Sequence, residues 1–286
     1  TDANVRKISQ HVAKKVAQRL ADIFTENRED FEKKWDHLSV FVKYGMIKDS
    51  AFYDRAKDFA LYHNTEGKHF TADEYTAHVA PGQTDKNEKV IWLYTHDKNG
   101  MDSYVAAANK RGYDVLLLDD VLDVNFIQFL ETKLERTEIR RVDADSIDRI
   151  IDKGTERTAN LTEDQNKALE ETFKNVVGNE LAAIRMEALN PDDAPVSITR
   201  AEFQRRMSDM ANMGAMGGMK MPDLFTVIVN THHPLVERLA NTAEGTPERG
   251  DLARHLYDLG LLGQGMLRGK DLTDFVERNI TFLKNS

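Results

Sequence analysis

The chain has no cysteine, which excludes disulfides, thiolate nucleophiles, thiolate-bound zinc and thiol redox chemistry. That composition fits a reducing compartment, and the cytoplasm is the expected location. An excess of positive charge is missing too: 39 Lys and Arg stand against 48 Asp and Glu, a net charge of −9. This balance works against broad contact with nucleic acid or anionic membrane, and neither partner is expected. No apolar run approaches the roughly 18 residues that would suggest a membrane span, and no signal-peptide core follows the N-terminus.

Catalytic motifs are also scarce. There is no Gly-x-Ser-x-Gly elbow to carry a nucleophile. The nearest approach to a phosphate loop, "GQGMLRGKD", has the wrong glycine spacing, and Asp271 stands where a magnesium-binding hydroxyl belongs. The nine histidines include no pair at the i, i+4 spacing of a helical metal site, and His232 and His233 read as a helix start ahead of Pro234. "NLT" and "NIT" match the glycosylation pattern by chance, given the absence of cysteine and of a leader. One acidic group has catalytic promise: Asp119, Asp120 and Asp123 follow the apolar run "VLLL", where open α/β sheets place ligands, and they suit a magnesium-assisted phosphoryl-transfer enzyme. The other reading is that Asp120 or Asp123 caps the next helix.

What is present is helical pattern first. "NVRKISQHVAKKVAQRLADIF" puts Val5, Ile8, Val12, Val16, Leu20 and Ile23 on one face and predicts a core-facing helix. Phe31, Trp35, Leu38, Val42 and Ile47 continue the helical spacing. The character changes at "KVIWLYTHD" (89–97) and "YDVLLLDD" (113–120), near-continuous apolar runs of the kind covered on both faces. Between them "MDSYVAAANKRG" predicts a helix ending at Gly112, so the whole is a βαβ unit. A helix, "DVNFIQFLETKL", and a strand, "EIRRV", follow.

Residues 131–166 are dense in charge without a long apolar run, and five of the six prolines lie after residue 190, so a boundary is placed near 142. The second half alternates differently: "AIRMEA" reads as a half-exposed antiparallel strand, with "APVSIT" and "LFTVIVN" as its partners. Capping boxes mark helix starts at Thr71–Glu74, Thr162–Gln165 and Thr199–Glu202. Two amphipathic helices close the chain, separated by a turn holding Gly263, Gly265 and Gly269. The fold class is thus helices on a small, mostly parallel α/β sheet, then an α+β domain with a C-terminal helix pair.

Six of the ten methionines fall in "MSDMANMGAMGGMKM", residues 207–221. Phe203, Met207 and Met210 span about 60° of helical arc, while Gly214, Gly217 and Gly218 end or fray the helix after Met213. Such a stripe can be core filling, an adaptable surface for varied partners, or a copper(I) site of Met-x-x-Met type.

The order of "NVRKISQHVAKKVAQRLADIF", "DFEKKWDHLSVFVKYGMIKD", "FTADEYTAHV", "KVIWLYTH", "YVAAANKRGYDVLLLDDVLD", "NTHHPLVERLA" and the closing helix pair resembles the ninety-kilodalton heat-shock chaperones in their bacterial form. The resemblance covers essentially the whole chain. It implies the C-terminal α/β part of the family's middle domain at residues 1–142 and the dimerisation domain at residues 143–286. It further implies a homodimer closed by an intersubunit four-helix bundle, through Leu252, Leu256, Leu259, Leu262, Leu272, Phe275, Val276, Ile280 and Leu283. Unfolded or partly folded client proteins are the implied partners, through Phe203, Met207, Met210 and Met213, with Phe126 and Phe129 as further aromatic surface beside Asn125. The family's ATP and magnesium bind in an N-terminal domain, and its catalytic arginine lies in a loop ending just before Thr1. No cofactor and no ATPase activity are therefore expected of this piece.

Overall fold

Two cap residues divide the helical start of the chain into α1 (Ala3–Glu26), α2 (Arg28–Lys48) and α3 (Ser50–Ala56). The Asn27 side chain accepts the Asp30 amide at 3.1 Å, and Asp49 accepts those of Ala51 and Phe52 at 2.8 and 3.2 Å. Each cap satisfies amides that the first turn leaves without partners, worth about 1 kcal/mol. Gly45 lets α3 approach α2, since a Cβ there would meet the Phe52 ring at 2.8 Å. The first helix differs from its predicted role as a core-facing helix. Val5, Ile8, Val12 and Val16 are 47–64% exposed, and only from about Ala13 onward does the helix join the core, through Ala17, Leu20, Ile23 and Phe24.

This is a computed structural model, and it describes residues 3–155, 157–178, 182–201 and 224–285. The chain forms two units, Thr1–Lys98 with Ala108–Arg141, and Asn99–Ala107 with Val142–Ser286. In the first, a two-stranded hairpin of β1 (Tyr62–His63) and β2 (His69–Phe70) precedes α4 (Ala72–Gln83). The capping box predicted at Thr71 and Glu74 is formed in both directions. Three parallel strands then make a sheet in the order β4-β3-β5: β3 (Val90–Thr95), β4 (Val115–Leu117) and β5 (Thr137–Arg141). The central strand is buried almost throughout, as its unbroken apolar run requires. α5 (Asp102–Asn109) connects β3 to β4, and α6 (Asp123–Glu131) connects β4 to β5. Aromatics fill this core: Trp92 meets Tyr75 edge-on at 5.1 Å and Tyr62 at 5.4 Å, and Tyr62 stacks on Phe126.

The second unit takes residues 99–107, most of the βαβ helix. Its Tyr104 hydroxyl donates to the Ile198 carbonyl and its Ser103 hydroxyl to that of Gly263. α7 (Ile147–Ile150) and α8 (Glu163–Val177) lead to a sheet in the order β6-β8-β7, formed by β6 (Ala183–Glu187), β7 (Val196–Thr199) and β8 (Thr226–Asn230). The box at Thr162 and Gln165 is formed, whereas Glu202 of the third predicted box lies outside the described residues. "AIRMEA" corrects its predicted orientation: β6 runs parallel to β8, and only β7 is antiparallel. Its alternating pattern reflects an edge strand with one face against α8 rather than an antiparallel pairing. Its polar side is covered too, because Glu187 accepts Ser146 Oγ at 2.8 Å and pairs with Arg149 at 2.7 Å. Three helices end the chain: α9 (Pro234–Asn241), α10 (Pro247–Gly263) and α11 (Gly269–Asn285). α10 packs on β7 and α8, with Gly260 against the Val196 backbone.

Candidate functional site

Two features stand out, one in each unit. In the first unit, α2 brings Trp35, Asp36, Ser39 and Lys43 to the carboxyl end of β4, where Asp119 and Asp120 follow, and together with His63 they line a cavity of about 230 Å³. Lys43 is the centre of the cluster, because its ammonium reaches Asp120 and Asp123 at 2.6 Å each and lies 5.8 Å from the centre of the Phe126 ring. Ser39 Oγ donates to Asp120 at 2.9 Å, and Asp123 accepts the Asp120 amide at 2.9 Å. Burial pushes the Asp123 carboxyl above its ordinary range despite the lysine. Burial acts the same way on Asp120, but there the hydrogen bond and charge of Lys43, with Ser39, outweigh it and hold the group below its ordinary value.

This geometry answers the question posed by the aspartates after "VLLL". Two of the three are already neutralised by one buried cation, so they are not the open carboxylate pair that a magnesium-assisted phosphoryl transfer needs. Nor do they cap the following helix: its N-cap is Leu122, with no side-chain bond, and Asp123 reaches back to Asp120 instead. Sequence reasoning missed Lys43 and Ser39 because their partners lie 77 to 81 residues away.

Beside this cluster, the β1–β2 pairing sets His63 opposite His69, with ring centres 5.6 Å apart. Burial and then the neighbouring His63 hold the His69 imidazole below its usual pKa. A search for helical spacing does not find this pair. The signal was the hairpin itself, "YHNTEGKHF", where a turn sequence brings two histidines six positions apart into cross-strand register.

The second feature is an apolar face on the last two helices. α11 is held to α10 by Phe275, which stacks on His255 at 5.3 Å, and by Asp258, which is fully buried and pairs with Arg278 and Arg254. Those anchors leave Leu259, Leu262, Leu272, Val276, Ile280 and Leu283 at 37–73% exposure. Six large apolar side chains on one helix pair, all outside the protein's own core, form the kind of patch that marks an association surface.

A model of the Hsp90 protein family matches residues 2–286. The chain belongs to the Hsp90 family. It is 40% identical over 246 residues to the chaperone protein htpG of Bacteroides fragilis (strain 638R), an alignment covering 84% of this chain and 36% of that protein. It is 41% identical over 244 residues to the chaperone protein HtpG of Porphyromonas gingivalis (strain W83), with 84% and 36% covered. A more distant relative, the chaperone protein HtpG of Bdellovibrio bacteriovorus, is 27% identical over 279 residues, 92% of this chain and 42% of the relative. The chain thus spans about two fifths of the length of the curated relatives it matches.

For this Hsp90-family chain, the structure sorts the residues picked from sequence. Of those expected at a dimer interface, Leu256 and Phe275 are buried within the chain at 0% and 8% exposure, and Leu252 is half-buried. These three pack inside the chain; the other six are exposed. Phe126, expected as client surface, is a correction. It is 1% exposed because the ring fills the space between Tyr62 and the ion-paired Lys43. Phe129 is half-buried, edge-on to Tyr53 at 5.3 Å. Phe203, Met207, Met210 and Met213 lie outside the described residues. Among the described residues no helix is long and apolar enough to cross a membrane. Sequence reading also missed Phe41, Tyr44 and Val121, apolar side chains 54–76% exposed in the first unit.

Proposed function

We propose that this chain is the dimerising and client-holding part of a molecular chaperone of the Hsp90 type. Residues 1–142 correspond to the C-terminal part of the middle domain and residues 143–286 to the dimerisation domain. The observation that carries the reading is the exposed apolar face of Leu259, Leu262, Leu272, Val276, Ile280 and Leu283. Two copies of α10 and α11 related by a two-fold axis would cover this face on both subunits and form a four-helix bundle. Relatives described as chaperones support the assignment of unfolded proteins as the partners, held on an apolar, methionine-containing surface that includes Phe203, Met207, Met210 and Met213. The reading assigns ATP and magnesium to other parts of the family's chain, gives residues 1–286 no catalytic role, and places the protein in the cytoplasm without nucleic-acid or membrane partners.

Sedimentation equilibrium tests the dimer. The wild-type chain is expected at twice its monomer mass, and Leu262→Glu with Leu283→Glu at monomer mass with an unchanged circular dichroism spectrum. Leu256 is unsuitable for that test, because a charge at a fully buried position would unfold the domain. A double variant that still sediments as a dimer would sink the assigned interface. Met207→Glu with Met210→Glu should weaken capture of a denatured client in an aggregation assay while the melting temperature stays the same; a parallel loss of stability would place those methionines in the core.

A further inference from the structure

We propose that Asp36, His63 and His69 form a binding site for one divalent transition-metal ion of the zinc class. Their potential ligand atoms all lie within 4.8 Å of one another, and among the described residues this is the one group of metal-ligating side chains so arranged. A zinc ion bound at about 2.0–2.2 Å needs its donors roughly 3.3 Å apart, so the donors must draw together by at most roughly 1.5 Å, a shift that rotation of the half-buried His63 and the exposed Asp36 supplies.

Three further observations support a site prepared for a cation. The histidines are fixed in cross-strand register, and the turn between them is locked by Asn64, whose side chain accepts the amides of Glu66 and Lys68 and donates to Asp114 at 2.8 Å. Nε2 of His69 is enclosed and has no hydrogen-bond partner, a costly state for a buried polar atom that a ligated metal would relieve. Asp36 and His63 also line the cavity beside α2, which gives an open coordination position for water. Two imidazoles and one carboxylate select a borderline transition metal over magnesium or calcium, which prefer oxygen donors throughout. The bound ion would clip the hairpin to α2. The site is independent of the chaperone reading, whose surfaces use none of these residues.

Calorimetric titration of the tag-free, chelator-treated chain with zinc chloride tests the site. One equivalent per chain is expected, with an affinity that falls at least about 100-fold in His63→Gln, His69→Gln and Asp36→Asn, more than loss of a supporting group costs. His232→Gln, remote in sequence, should bind as wild type. Tryptophan emission of each variant verifies its fold, because Trp35 and Trp92 are both buried in the first unit. Cobalt(II) supplies a second readout: bound at this site it gives the intense visible absorption of four- or five-coordination, absent from the His63→Gln and His69→Gln variants. Failure of the wild type to bind zinc, or binding that the three substitutions leave intact, overturns the proposal.

Discussion

The Lys43 cluster allows a sharp energetic test. Its side chain is 8% exposed and that of Asp123 4%, and one ammonium serves two carboxylates at 2.6 Å. Lys43→Met keeps the length and apolar body of the side chain but leaves Asp123 charged, buried and supported only by the Asp120 amide. Breaking a buried pair from one side costs about 3–5 kcal/mol. Asp120 is more exposed, at 27%, and water can replace the lysine there, so most of the loss belongs to Asp123. With a urea dependence of about 2 kcal/mol per molar, the unfolding midpoint should fall by roughly 2 M. The chain's only tryptophans, Trp35 and Trp92, sit in the same unit, so their fluorescence follows this transition alone. Adding Asp123→Asn should recover at least half of the loss, because it removes the charge while keeping an acceptor for the amide. The pH dependence has a defined sign. Burial raises the folded pKa of Asp123 above its ordinary value of 3.8, so the folded state takes up this proton more readily than the unfolded state. The deficit of Lys43→Met is therefore full at neutral pH and shrinks as pH falls towards 3.8. A loss below about 1 kcal/mol, or one that does not change with pH, would mean that water reaches Asp123 and that the pair is not buried in the energetic sense.

Further predictions concern helix geometry and an exposed ion pair. Gly260→Ala should destabilise the second unit by about 1–3 kcal/mol, because the new Cβ meets the Val196 carbonyl oxygen at 3.2 Å and backbone cannot swing away. In the same helix Gly250→Ala finds open space and should stabilise by about 0.5–1 kcal/mol; thermal melts that rank the two in the opposite order would refute the packing of α10 on β7. Arg28 donates to both carboxylate oxygens of Glu74 at 2.5 and 2.7 Å, and this contact, together with the Thr71 amide, holds Glu74 at about 2 against an ordinary 4.5. Its contribution is full above pH 4.5 and is lost as pH falls towards 2; with both partners about 40% exposed, screening reduces it to roughly 1 kcal/mol. Glu74→Gln should accordingly lower stability by that amount at pH 7 and by nothing near pH 2, and the gap should narrow in high salt.

Some of this architecture is legible in the chain because it is local. The caps at Thr71 and Thr162 need only four consecutive residues, and the parallel β3 follows from a run too apolar to tolerate a wet face. Patterns shared by two environments misled. Val5, Ile8, Val12 and Val16 have the spacing of a buried stripe, yet periodicity records only that one face is apolar and not what covers it. Phe126 and Leu256 carried the same ambiguity in reverse, as apolar residues on amphipathic helices assigned to surface contact that turned out to fill the interior.

The sequence by itself determined the family, the mixture of helices with small sheets, and the stock of apolar side chains on the closing helices, since these depend on order, composition and spacing. Only the tertiary structure decided which of those side chains the chain keeps for its own core. It also set Lys43 against Asp120 and Asp123, and closed Asp36, His63 and His69 into one group. Each of those outcomes joins residues far apart in the chain or across a hairpin, where a contact depends on how whole elements pack and leaves no periodic trace in the sequence.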